Sequence, residues 1–343
     1  MRLQFSSGRL GLLLLLLLGL GLSSCEDDDD TILGIDFDDD GTLFLSSNTS
    51  GLVGVINLED GDSLNVETFM AEGSDADGLY YDGDEGNLYQ VNRSNSTVVE
   101  YNDVRDDLDD PNGVDIEARS TSDFTNGRGL AFADDQVVVA QDGDAAVNDN
   151  ENRLVVYDIS DDDDLIARRA SYPVNINLWG IQFVGSDLYA VVDNSDSVAV
   201  FSNFLDNTDG DTLMPTRFIQ IEGLVRTHGL EYNEEDDIMI LTDIGDAGSD
   251  SDGALFVIRN FSNLGTSATT VGPNNYTRIG GDATRLGNPV DVAWDEDTDR
   301  FYVADRATDG GTLLVFENDA RGNVAPSRTV PFAGLSSLYL HRD

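Results

Sequence analysis

Polar and apolar positions alternate in a fixed rhythm from about residue 32 to the end of the chain. One stretch, Gly180 to Phe201 (GIQFVGSDLYAVVDNSDSVAVF), carries the whole phrase: an apolar run, an acidic turn, a second run ending in Asp, a polar turn and a third run. The first run recurs as Gly34–Phe37, Gly78–Tyr81, Gly129–Phe132, Gly180–Phe183, Gly229–Tyr232 and Asp291–Trp294. The second recurs as Leu43–Leu45, Leu88–Val91, Val137–Ala140, Leu188–Val191, Ile238–Leu241 and Phe301–Ala304. The third recurs as Val53–Ile56, Val98–Tyr101, Leu154–Tyr157, Val198–Phe201, Leu255–Ile258 and Leu313–Phe316. These runs are short, rich in β-branched and aromatic residues and bounded by Asp, Asn, Gly and Ser, which predicts strands. A fourth, more polar run closes each unit, as in Thr216–Ile221 and Ser327–Val330. It alternates as an outer strand half in water should, whereas the inner runs are nearly continuous, as expected for strands buried on both faces.

Six units of four strands, with no sustained helical period, predict an all-β fold: a six-bladed β-propeller of four-stranded antiparallel blades filling residues 32–343. The tail Leu338–Asp343 reads as one more strand, expected to pair with the first blade and close the ring, or else to be the remnant of a seventh. Phe301–Asp305 with Leu313–Phe316 resembles the strand pair of NHL and related SMP-30-like six-bladed propellers. Gly322–Thr329 resembles the outer-strand segment of propeller-type bacterial surface lipoproteins.

The N-terminus does not fit the rhythm. Arg2 and Arg9 precede Leu10–Leu22, a run of only Leu and Gly that is short for a membrane span, and residues 1–24 read as an export signal. The run ends in Leu22-Ser23-Ser24-Cys25, which resembles the lipobox of bacterial lipoproteins. That resemblance implies cleavage before Cys25, lipidation of Cys25 and anchoring to the outer membrane. Cys25 is the chain's only cysteine, so no disulfide can form within it. Residues 25–31 continue as an acidic tether, Glu26–Asp30. It resembles the acidic signals that send some lipoproteins to the outer surface, so cell-envelope localisation with surface exposure is the expectation.

Charge changes the picture again. Asp and Glu number 66 against 19 basic residues, all Arg, for a formal net charge of −47. Regular apolar runs and 40% hydrophobic residues argue for a folded core rather than disorder. Such an acidic surface suits a very salty, halophilic medium, where ions screen its self-repulsion. No basic stripe is present to neutralise phosphates, which argues against nucleic acid as a partner.

Topology points to the candidate chemistry. In a four-stranded meander, the residue just before each first strand borders the channel mouth, on the face that also carries the loops between second and third strands. That position holds Leu33, Asp77, Arg128, Trp179, His228 and Val290. A purely architectural position tends to repeat, and this one does not. Asp77, Arg128, Trp179 and His228 are therefore the candidate ligand-binding residues, against the alternative that they merely fill a solvated mouth. The acids ending the second strands, Asp193, Asp243 and Asp305, do repeat, so the plainer reading is that each accepts backbone N–H groups in its turn. As hard oxygen ligands near one axis they could instead hold Ca²⁺, as lactonase-type propellers hold an axial metal to polarise a carbonyl. The acidic loops Asp36–Gly41 and Asp82–Gly86 lack EF-hand spacing and suit tight hairpins. The longer inserts Asp142–Arg153 and Ile244–Gly253 rise from the candidate face. No nucleophile elbow is present, and no catalytic residue is assigned. Two functions follow: a lipid-anchored envelope module that binds or scaffolds a protein or glycan, or a Ca²⁺-dependent hydrolase or lactonase.

Overall fold

The computed structural model describes residues 41–58, 64–159, 165–265 and 270–342. Among them strands dominate. The first group is β1 (Thr42–Ser47), β2 (Leu52–Asn57) and β3 (Glu67–Met70). The second is β4 (Ala76–Asp82), β5 (Asn87–Asn92), β6 (Thr97–Tyr101) and β7 (Ile116–Ser120), and the third is β8 (Gly127–Ala133), β9 (Gln136–Gln141), β10 (Asn152–Asp158) and β11 (Leu165–Val174). The fourth is β12 (Leu178–Val184), β13 (Asp187–Val192), β14 (Ser197–Phe201) and β15 (Arg217–Ile221). The fifth is β16 (Thr227–Asn233), β17 (Ile238–Asp243) and β18 (Ala254–Arg259), then β19 (Thr270–Val271) and β20 (Thr277–Gly280). The sixth is β21 (Pro289–Asp295), β22 (Arg300–Asp305), β23 (Thr312–Glu317) and β24 (Arg328–Pro331), and the chain ends in β25 (Leu335–His341).

Consecutive strands within a group pair antiparallel, with β20 taking the fourth place of the fifth group. Hydrogen bonding divides the strands into five sheets rather than six, because the second and third groups share one eight-stranded sheet. The join is a two-residue parallel pairing of their outer strands, Leu165 with Arg119 and Ile166 with Ser120. The short β19 adds to β15 in the same parallel sense. Such rim pairings cover outer edges that would otherwise expose unpaired backbone groups.

The last strand, β25, pairs antiparallel with β1 from Thr42–His341 to Ser47–Leu335, completing the first group from the other end of the chain. It takes the innermost place in that sheet, beyond β1, although its sequence resembles a second strand. The expected first strand Gly34–Phe37 lies outside the described residues, as do the export signal, Cys25, the acidic tether, Leu33 and the Asp36–Asp40 part of the first acidic loop. Innermost strands touch in cyclic order: β25 with β4, β4 with β8, β8 with β12, β12 with β16, β16 with β21, and β21 with β25.

The core lies between neighbouring groups, not inside any one of them. Leu88 and Val99 turn towards the first group, while Tyr89 and Val98, their sequence neighbours, turn towards the third. Both faces of an inner strand are thereby buried, which is why these runs read as continuously apolar. Each fully buried Val or Leu contributes about 1.5–3 kcal/mol of transfer free energy. Outer strands such as β7 and β15 bury alternate residues only.

Candidate functional site

The inner strands share a local irregularity at their N-terminal ends. Pairing slips between Ala76 and Leu79, Gly127 and Leu130, Leu178 and Ile181, Thr227 and Leu230, and Pro289 and Asp291. A β-bulge re-aims a side chain that a regular ladder would hold across the pleat, and the bulged positions include Asp77, Arg128, Trp179, His228 and Val290. In four of the five the next residue is glycine. A Cβ on Gly180 would lie 2.6 Å from the His228 carbonyl oxygen, and one on Gly129 would lie 2.7 Å from that of Trp179. Glycine there lets adjacent inner strands approach backbone to backbone.

The consequence is one connected cluster at the channel mouth. The Arg128 Cζ lies 3.8 Å from the Trp179 ring centroid. On the indole's other side the His228 ring stacks at 3.6 Å between centroids and 6° between planes. His228 Nε2 is 3.0 Å from Asp193 Oδ1, and Arg226 donates to both Asp193 oxygens at 2.6 and 2.9 Å. At the far end, Asp77 Oδ2 lies 3.4 Å from Arg128 Nη1 and 3.5 Å from Arg93 Nη1. Arg128 also faces Asp142 at 3.7 Å. Asp77, His228 and Asp193 are all buried.

Electrostatics follow from that burial. Desolvation lowers the His228 imidazole to about 4 in spite of Asp193 beside it, so the ring is neutral at pH 7. Next to an ionised carboxylate the neutral ring places its proton on Nε2, leaving Nδ1 as a bare acceptor. That Nδ1 is buried and has no partner among the described residues. Burial pushes the Asp193 carboxyl up, but hydrogen bonds from His228 and Arg226 outweigh it and hold the group well below the usual carboxylate range. Asp142 is raised to about 6, chiefly by burial, with Arg128 opposing.

The four expected mouth residues are thus brought into contact. Val290 lines the cavity beneath the mouth but belongs to an apolar cluster. The three second-strand acids are not brought together: among the described residues no three His, Cys, Asp or Glu side chains converge as metal ligands. Asp243 accepts the N–H groups of Val225, Arg226 and Gly245 at 2.9–3.2 Å. Asp305 accepts those of Gly287, Asn288, Ala307 and Thr308 at 2.8–3.1 Å. These two carboxylates fasten the loop entering their own group to the loop between its second and third strands.

Below the mouth the inner strands enclose a cavity of about 300 Å³. Its wall includes Tyr80, Ala131, Gln182, Glu231, Ala293 and Tyr339, a set the repeat reading passed over. The signal was present in the alternation: the preceding residues, Leu79, Leu130, Ile181, Leu230, Val292 and Leu338, are uniformly apolar, whereas these six mix aromatic, small, amide and acidic side chains. Desolvation and the neighbouring Asp291 raise Glu231 to about 8. Burial likewise raises Asp291 to about 7, with Asp77 adding to it and hydrogen bonds from Ser337, Leu338 and Val292 opposing.

No family model matches this sequence, and no curated protein matches it. Solved structures do. A chain of the nidogen/laminin complex is 13% identical with a TM-score of 0.59, over 88% of this chain and 98% of that one. A candidate 6-phosphogluconolactonase of Bacteroides fragilis is 14% identical with a TM-score of 0.58, over 90% of this chain and 99% of that one. A second such candidate, from Bacteroides uniformis, is 11% identical with a TM-score of 0.56, over 88% and 100%. At these identities the likeness concerns the fold alone, and that fold is a β-propeller.

Proposed function

We propose that this chain is a six-bladed β-propeller, anchored to the cell envelope through lipid on Cys25, that binds a macromolecular partner at the mouth formed by Asp77, Arg128, Trp179 and His228. Six antiparallel groups in cyclic contact support the blade count, with the eight-stranded sheet taken as two blades stitched at the rim. The observation that carries the binding reading is the Arg128–Trp179–His228 stack. It draws three unlike residues from three blades into one cluster, which Asp77 of a fourth joins through Arg128, at the position where architecture alone would repeat. Both faces of the indole are occupied, so a sugar ring has none to stack on, and a protein partner is favoured over a glycan. The lipid holds the propeller, the acidic tether spaces it, and high salt screens its charge.

The test compares wild type with Arg128→Ala and Trp179→Ala on immobilised envelope proteins. Loss of retention in both variants, with retention unchanged in a variant on the opposite face, supports the mouth. Equal retention of all of them refutes it. Cys25→Ser is expected to release the protein from membranes, and its retention after a salt wash would refute the anchor.

The second reading, a Ca²⁺-dependent lactonase, is favoured by the Asp193–His228 pair beside the channel and by the lactonase candidates among the similar folds. It requires Asp243 and Asp305 to give up backbone bonds they already make. Hydrolysis of a lactone that depends on added Ca²⁺ and is lost in Asp193→Asn would support it.

A further inference from the structure

We propose that the axial cavity beneath the mouth binds a small organic cation, an ammonium group held between the carboxylates of Glu231 and Asp291. The cavity shares Asp77, Trp179 and His228 with the mouth above it, but the two carboxylates belong to the cavity alone, and the proposal does not require a macromolecular partner.

The argument starts from a mismatch of charge. At the mouth Asp77, Asp142 and Asp193 each meet an arginine. In the cavity neither Glu231 nor Asp291 forms an ion pair among the described residues. Asp291 is held only by neutral donors: the Ser337 hydroxyl at 2.6 Å, the Leu338 N–H at 3.0 Å and the Val292 N–H at 3.0 Å. The Glu231 carboxylate makes no hydrogen bond with any described residue. Two half-buried carboxylates facing one narrow cavity without a counter-charge are costly to keep ionised, and a bound cation relieves both the partial desolvation and their repulsion.

The rest of the lining favours the same kind of ligand. His228 is 3% exposed, lines this cavity and has an unpartnered Nδ1, which on the tautomer set by Asp193 is an acceptor. Several of the wall's donors are already committed: Gln182 Nε2 gives a hydrogen bond to the Tyr232 carbonyl, the Ser337 hydroxyl gives its own to Asp291, and the Ser336 hydroxyl gives its own to the Ala76 carbonyl. A neutral polyol needs donors and acceptors in balance, whereas an ammonium supplies only donors and charge. Tyr339 meets Tyr80 edge-on at 5.3 Å, so aromatic surface lies beside the carboxylates, as cation recognition uses it. A bare divalent ion is a poorer fit, since Ca²⁺ takes 6–8 oxygens and no three acidic or imidazole ligands converge here. A volume of about 300 Å³ lies at the lower end for small-molecule pockets.

Propylammonium is the test probe, beside propan-1-ol, the neutral alcohol in which a hydroxyl replaces its ammonium group. Both tryptophans of the chain, Trp179 and Trp294, line the cavity, so intrinsic fluorescence reports occupancy, with calorimetry as the second measurement. Expected is saturable propylammonium binding, at least about tenfold tighter than the neutral alcohol. Glu231→Gln and Asp291→Asn should each weaken propylammonium about tenfold or more, with urea midpoints no lower than wild type. Binding should release protons near pH 7 and tighten as pH rises. The groups facing the pair are Asp77, His228, Tyr80 and Tyr339. Equal affinity for the two probes overturns the proposal, as does unchanged binding in Glu231→Gln or the absence of saturable binding. The probe comparison uses wild type alone, so it decides the matter even where a variant fails to fold.

Discussion

Asp193→Asn probes the centre of the mouth while keeping the side chain's shape. Asp193 is 5% exposed and takes three hydrogen bonds from partners in the next blade: two from Arg226 and one from His228. Two more come from its neighbour Asn194, from its backbone N–H and its side-chain amide, both at 2.7 Å. Removing one member of a buried ion pair typically costs 3–5 kcal/mol, because the other charge is left desolvated. The Arg226 side chain retains 24% exposure and recovers part of its hydration, so the lower end applies, about 3 kcal/mol. Arg226→Met in the same chain removes the stranded charge and should restore about 1–2 kcal/mol. Urea unfolding followed by tryptophan emission measures both variants, and Trp179 emission also reports whether His228 still stacks on the indole. Because the pair is buried, the Asp193→Asn penalty should be nearly the same in dilute buffer and in molar salt. A loss of under about 0.5 kcal/mol, or one that salt abolishes, would show that Asp193 does not brace the stack.

Three further expectations follow from separate observations. Gly180→Ala places a Cβ 2.6 Å from a backbone oxygen that cannot rotate away, so it should cost about 1–3 kcal/mol; Gly272→Ala, whose nearest neighbour is a Glu222 oxygen at 3.5 Å, should be within about 0.5 kcal/mol of neutral in the same urea series. The native His228 value, about 4, lies below the ordinary 6.5. Its contribution to stability is therefore complete above about pH 6.5 and is lost as pH falls towards 4; between pH 7 and 5 wild type should lose about 2 kcal/mol more than His228→Gln, and parallel pH curves for the two would contradict this. With a net charge of −47, unfolding midpoints should rise with NaCl as the Debye length shrinks to about 3 Å at molar salt, and greatest stability in dilute buffer would overturn the salt-adapted reading.

Much of this architecture was legible without coordinates because it rests on local pattern. A strand buried on both faces must be apolar at every position, and a bulge packed against its neighbour's backbone must carry glycine. Leu88–Val91, Gly129 and Gly180 therefore announce their places in the chain. The repeat also located Asp77, Arg128, Trp179 and His228, since equivalent positions in repeated units fall on one ring. What those residues do to one another was not legible. The stack of Arg128, Trp179 and His228 depends on distances between blades about fifty residues apart in sequence, and nothing in the spacing says that the indole is covered on both sides. The destinations of Asp243 and Asp305 were left open between backbone and metal, because a carboxylate's partner is set by which N–H groups the folded loops present. Glu231 is the clearest case. In sequence it is one acid among 66 acidic residues; closure of the ring turns it, half-buried, into the axial cavity, sets it near Asp291 and gives neither a counter-charge among the described residues, and only tertiary structure could decide that.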